Sequence, residues 1–144
     1  MLTWRGGNLL HALGCMLYWA EGARNRNAIH FVNSDPAMIA FFARFLRICF
    51  EVPDDKIRVR CNLFSDGVDR QREIEQFWLD LLGLPRTCLT RSAVNVYSKY
   101  SKKKRRNRLP YGTCRLKVCD TSIVQHIYGA IQEYAGFERE EWVM

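Results

Sequence analysis

The chain has 144 residues, 48% hydrophobic and 26% charged, which suits one domain (residues 1–144) with a real core and ordinary globular composition. Its net charge of +7 and pI near 9.3 favour a polyanionic partner, of which nucleic acid is the commonest. A membrane partner is not expected: no stretch reaches the roughly 18 uncharged apolar residues a span needs, and no signal peptide is evident at the N-terminus.

Met1 to Gly7 is a short lead. Leu9 to Gly22 (LLHALGCMLYWAEG) then carries no charge until Glu21. Leu9, Leu10, Leu13, Leu17 and Ala20 recur at helical spacing and predict a buried amphipathic helix. Glu21 falls at the C-terminal end, where the macrodipole is negative, so its charge costs free energy unless a cation shares the site. Two readings stay open: an exposed carboxylate at a frayed helix end, or a ligand of a hard divalent cation. Gly22 is expected to end the helix as a left-handed cap.

Ala23 to Asn27 is polar and basic, with Arg24 and Arg26, and Ala28 to Asn33 reads as a strand. A short strand within Ala23–Asn27 would form a hairpin with it. His30 alternates with Ile29 and Phe31, which puts it on a polar sheet face. Ser34-Asp35-Pro36 is a helix start, with a capping side chain and then proline. Met38, Phe41, Phe42, Phe45, Leu46 and Cys49 form the buried face of that helix, which runs to about Phe50 before Pro53-Asp54-Asp55 breaks it.

Lys56 to Phe64 is the clearest strand. Ile57, Val59, Cys61 and Leu63 alternate with Lys56, Arg58, Arg60 and Asn62. A solvated sheet face usually mixes signs, so an unrelieved basic face points to a ligand that supplies the counter-charge. Asp66 or Asp69 caps the next helix, Arg70 to Leu82, with Ile74, Phe77, Trp78, Leu81 and Leu82 inward and Arg72, Glu73, Glu75 and Asp80 facing water. Gly83 and Pro85 stop it.

Thr87 to Ser98 reads as a strand that offers Arg91, Asn95 and Tyr97. A basic stretch follows: Lys99, Lys102, Lys103, Lys104, Arg105, Arg106 and Arg108, with no acid until Asp120. Its composition also suits a nuclear-localisation patch or a surface loop. Between strands it reads as a long hairpin tip tracking a phosphate backbone. Tyr111 to Cys119 closes the hairpin, with Cys114, Leu116 and Val118 opposite Thr113, Arg115 and Lys117. Asp120-Thr121-Ser122 caps a last helix, whose stripe is Ile123, Ile127, Tyr128, Ile131 and Tyr134 and whose end is Gly136. The acidic tail, residues 138–144, and the lead, residues 1–7, read as loosely ordered.

No phosphate-binding glycine loop follows a strand, so no nucleotide cofactor is expected. There is no HExxH and no GxSxG elbow. His11 and His126 read as structural histidines. The six cysteines form no CxxC pair, which argues against zinc. Most fall in apolar patterns, as buried free thiols of an intracellular protein of the cytoplasm or nucleoid.

The segment LGCMLYWAEG, ending in Ala20-Glu21-Gly22, resembles the signature helix of the LAGLIDADG homing endonucleases. Met16 stands where the family usually has its first packing glycine. The NSDP helix start and the PYGTC strand entry resemble a bacterial and phage-associated branch, and the layout of helices and basic strands is similar from Leu9 to Phe137. The helix between the Lys56 and Thr87 strands departs from the simplest family layout. The resemblance implies an α+β fold: a mixed or antiparallel β-saddle backed by helices, with the signature helix at a dimer axis. It implies contacts there through Leu13, Gly14, Met16, Leu17 and Ala20. It further implies Mg²⁺- or Mn²⁺-dependent hydrolysis of double-stranded DNA by a homodimer at a long, partly palindromic site. Glu21 with Ala20 or Gly22 carbonyls would hold the metal, and Lys117, Arg115 or Arg58 would stabilise developing charge, with Lys117 the chosen catalytic partner. DNA would lie against Arg24, Arg26, His30, the Lys56–Asn62 face, Arg91, Asn95, Tyr97, the Lys99–Arg108 cations, Arg115 and Lys117. One signature per chain supplies one acid, so cutting both strands needs two chains. A non-catalytic DNA-binding regulator of the same fold and an RNA-binding splicing helper are the alternatives.

Overall fold

Helix α1 (Gly6–Glu21) lies against α2 (Pro36–Cys49) and the last helix, α4 (Thr121–Ala135), while α3 (Val68–Leu82) follows strand β2 (Arg58–Phe64). The computed structural model describes residues 6–65, 67–95 and 110–139. The other strands are β1 (Ile29–Asn33), β3 (Ala93–Asn95) and β4 (Thr113–Val118). The fold is α+β, with a four-stranded mixed sheet in the order β1-β4-β2-β3. β4 runs antiparallel to both neighbours, and β3 runs parallel to β2. Ile29, Phe31, Val59, Cys61, Leu63, Cys114, Leu116 and Val118 are buried and join one core with the helices, the period-2 pattern of a sheet covered on one side. No described helix is long and apolar enough to cross a membrane.

Local signals set most boundaries. The Asp35 carboxylate accepts from the Ala37 N–H at 2.9 Å, and Pro36 opens α2. Asp120 accepts from Ser122 N (3.0 Å) and Ile123 N (3.3 Å) at the start of α4. Gly83 ends α3 with φ +65°. Helix α3 begins earlier than its sequence pattern suggested. Gly67 holds the cap position without a side-chain bond, and Asp69 falls inside the first turn, where a carboxylate complements the dipole. Asp66 lies outside the described residues. Leu79 takes the buried place expected for Leu81.

Helix α1 faces the other way from its leucine pattern. Leu9 and Leu13 are 49% and 47% exposed, and Ala20 is exposed. Leu10, Gly14, Cys15 and Tyr18 turn inward instead. The cause is close approach to α2: a Cβ on Gly14 would stand 2.1 Å from the Phe45 ring. Gly14 is therefore core and does not belong to the expected dimer contacts. Gly14→Ala should lower unfolding free energy by about 1–3 kcal/mol through overpacking, read in a denaturant melt.

Gly22 is not the expected left-handed cap; among the described glycines, only Gly83, Gly112 and Gly136 have positive φ. Instead it leaves the helix extended and bridges Phe31 antiparallel, while Ala23 N donates to His30 O at 3.0 Å. The anticipated hairpin thus exists only at Gly22–Ala23; Asn25 Oδ1 turns the chain by accepting from Asn27 and Ala28 N–H. Tyr18 fixes this exit. Its hydroxyl donates to Ala23 O (2.7 Å) and accepts from His30 N (3.3 Å).

The expected hairpin of the Thr87 and Tyr111 strands is not formed by the described residues. Its first half is a 3₁₀ turn (Arg86–Cys88), a Leu89 bridge to Val59 and short β3 on the far side of β2. β4 pairs between β1 and β2, as α3 draws its entry inward: Trp78 Nε1 donates to Tyr111 O at 2.9 Å and Phe77 stacks on Tyr111.

Candidate nucleic-acid interface

The open face of the sheet carries the residues that alternate with the core. Register fixes them in rows. His30 lies opposite Lys117, and Lys117 opposite Arg58; the next row is Val32, Arg115, Arg60; the third pairs Thr113 with Asn62. Asn95 Nδ2 donates to Asn62 Oδ1 at 3.2 Å, extending the face to β3. Two rungs therefore set like charges directly across from one another, Arg58 with Lys117 and Arg60 with Arg115, an arrangement that destabilises a sheet. Among the described residues no acid forms an ion pair with any of the four. Arg58 Nη1 donates to the carbonyls of Asp55 (2.7 Å) and Ile57 (3.1 Å). Arg115 Nε is the one buried side-chain nitrogen or oxygen among the described residues without a hydrogen-bond partner. Burial lowers the His30 pKa, and the charges of Arg115 and Lys117 lower it further, which favours the neutral ring.

A wall rises beside these rows. Thr90 is tied to β2 by its N–H to Val59 O (2.8 Å). Two residues on, Ser92 Oγ donates to Glu75 Oε2 at 2.6 Å. Arg91, held between these anchors, completes an open basin of about 620 Å³ with Arg58, Arg60, Arg115, Lys117 and Cys119. Glu75 corrects its sequence reading. It is 5% exposed rather than facing water, because Arg86 (3.0 Å), Gln71 (3.1 Å) and Ser92 surround it. Burial raises its pKa, but these hydrogen bonds and the Arg86 charge outweigh that and leave it below 4.5. Sequence reasoning missed Thr90, Ser92 and the exposed Val32. Only Val32 had a signal, its alternation with His30.

Other expected contacts fall elsewhere. Lys56 is exposed in the 3₁₀ turn Asp54–Lys56, because the Pro53-Asp54-Asp55 break extends through it and β2 starts at Arg58. Arg24 and Arg26 are exposed beyond α1, with Arg24 at a small cleft beside Tyr18, Trp19 and Tyr128. Tyr97, Lys99 and the cations Lys102 to Arg108 lie outside the described residues. Glu21 is exposed at the end of α1 and does not line the basin. Gly22 adjoins β1, and Lys117 lies on β4, the strand on the other side of β1, opposite His30. Met16 and Leu17 are half-buried beside exposed Leu13 and Ala20. Among the described residues no three His, Cys, Asp or Glu side chains group to hold a metal.

Behind the sheet, His11 links three helices. Its Nδ1 lies 2.6 Å from the Tyr134 hydroxyl and its Nε2 2.8 Å from His126 Nε2, with Phe45 and Phe50 against the ring. Two facing Nε2 atoms share one hydrogen, so protonating both rings sets two N–H groups against each other. Burial lowers the His11 pKa from 6.5, and His126 lowers it further. A folded-state value below the unfolded one means the stability is whole above pH 6.5 and is lost as pH falls through the lowered value. The melting temperature should fall between pH 7 and pH 5, and His11→Gln should flatten that fall. The acids Glu75 and Asp120, with pKa values below 4.5 and 3.8, act at lower pH.

No protein-family model matches the chain, and no curated protein matches it.

Proposed function

We propose that the chain is a LAGLIDADG-type DNA endonuclease that works as a homodimer on duplex DNA. The observation that carries the nucleic-acid part of this reading is the pair of like-charge rungs on the open sheet face, held without an acid among the described residues. The nuclease part rests on the likeness of the α1 segment ending in Ala20-Glu21-Gly22 to the family's signature helix. Such repulsion costs stability in the free protein and is relieved by a polyanion. A β-sheet face reaches base edges in the major groove, where Asn and His find hydrogen-bond partners. The exposed apolar stripe of Leu9, Leu13 and Ala20 suits a second copy of α1 packed about a two-fold axis, which would set two Glu21 carboxylates together.

The donors at the end of α1 fit a hard divalent cation: the exposed Glu21 carboxylate, the Ala20 and Gly22 carbonyls, and substrate phosphates. One chain alone offers a single acid there, so the partner chain and the DNA complete the set. Bound there, Mg²⁺ or Mn²⁺ would supply an activated water and charge stabilisation for phosphodiester hydrolysis. Lys117, Arg115 and Arg58 would hold the backbone.

A non-catalytic regulator is the second reading, favoured by the absence of Glu21 from the basin. Competition at matched salt tests the partner: duplex DNA should displace structured RNA, and the reverse order would favour an RNA-binding role. Mn²⁺ binding to the protein–DNA complex, followed by electron paramagnetic resonance, should separate nuclease from regulator without a cleavage assay.

A further inference from the structure

The cation square does not resemble a surface that reads bases. Arg58 and Arg60 are two residues apart on one strand, as are Lys117 and Arg115 on its neighbour, about 6.6–6.8 Å in each case. That spacing is close to the separation of successive phosphates along a nucleic-acid strand. Across each rung the two cations are neighbours, about 4.5–5.5 Å apart at Cβ, so one phosphate can accept from both. The wall at Thr90, Arg91 and Ser92 makes the square concave, and a concave basic basin takes a convex backbone, whereas base edges recessed in a groove are reached by residues that project.

We infer that this square is a backbone clamp that holds two successive phosphates of one strand, each between a cross-strand pair of cations. Sequence reading then falls to the neutral groups around it. On β1, Val32 is 44% exposed and suits a thymine methyl, and His30 offers one donor and one acceptor. On the opposite side, the Asn62–Asn95 pair offers amides for adenine. The inference rests on the nucleic-acid reading of this face and divides its residues by task.

The probe is an abasic oligodeoxyribonucleotide, which has the phosphates and no base edges. It should bind the wild-type chain and compete with random-sequence duplex. Arg60→Gln and Lys117→Gln should each lower the slope of log affinity against log salt, by at most about 0.9 because the other cation of the pair still faces the same phosphate, and weaken every duplex alike. Val32→Ala should change sequence preference and leave the slope as it was. Both cation variants should melt no lower than wild type, since each relieves one like-charge rung, and Arg60 is exposed. A changed preferred sequence with an unchanged slope in Arg60→Gln or Lys117→Gln overturns the clamp. Duplex binding without competition from the abasic strand also overturns it. Failure of any duplex to bind overturns the nucleic-acid reading itself.

Discussion

Glu21→Gln should leave duplex binding intact while Mg²⁺-dependent cleavage falls by at least about 10²–10³-fold, the scale on which single electrostatic stabilisers act. The amide keeps the shape and removes the charge. Glu21 is exposed and forms no ion pair among the described residues, so the fold does not depend on it. A helix C-terminus is a poor place for an unpaired carboxylate, and neutralising it should, if anything, raise the melting temperature slightly. A variant that cleaves as well as wild type would remove Glu21 from the chemistry. One that loses duplex binding as well would mean that the carboxylate acts in folding or dimerisation, not at the metal.

Leu13→Glu should convert the proposed dimer to monomer, read by analytical ultracentrifugation, and abolish the proposed double-strand cleavage with it. Leu13 is 47% exposed in the single chain, on the same side of α1 as Leu9 and Ala20. In a two-fold interface each substitution counts twice. Leu13 is already about half covered in the single chain, so withdrawing two leucines from the interface costs about 1.5–3 kcal/mol, roughly 10–10² in dimer affinity, and setting two unpaired carboxylates there adds to it. Each monomer should still fold, because Leu10, Cys15 and Tyr18 make the contacts with the core. A Leu13→Glu chain that remains dimeric would place the interface elsewhere.

What could be read in the sequence was what local chemistry decides. Asp35 and Asp120 announce their helices because a cap bonds within three residues of itself. Arg58 and Arg60 declare the open face because strand alternation is local. Helix α1 is different: leucines at 9, 13 and 17 and the set Leu10, Gly14, Tyr18 both satisfy a helical period. The choice between them was made by Phe45, at which Gly14 alone allows contact. Glu75 read as solvated because its partners, Arg86 and Ser92, are 11 and 17 residues away. The basin shares this dependence, since Arg91 reaches it only through the anchors on Thr90 and Ser92. The strand order was likewise set by pairing at a distance: β4 inserts between β1 and β2, and β3 is left at the edge.

The most direct measurement is incubation of the full chain with a randomised duplex library and Mg²⁺, followed by sequencing of the cut ends. The expected result is a double-strand break within one partly palindromic family of sequences, absent on chelation of the metal. Intact DNA at every sequence, from a chain that binds duplex normally, would contradict the nuclease reading.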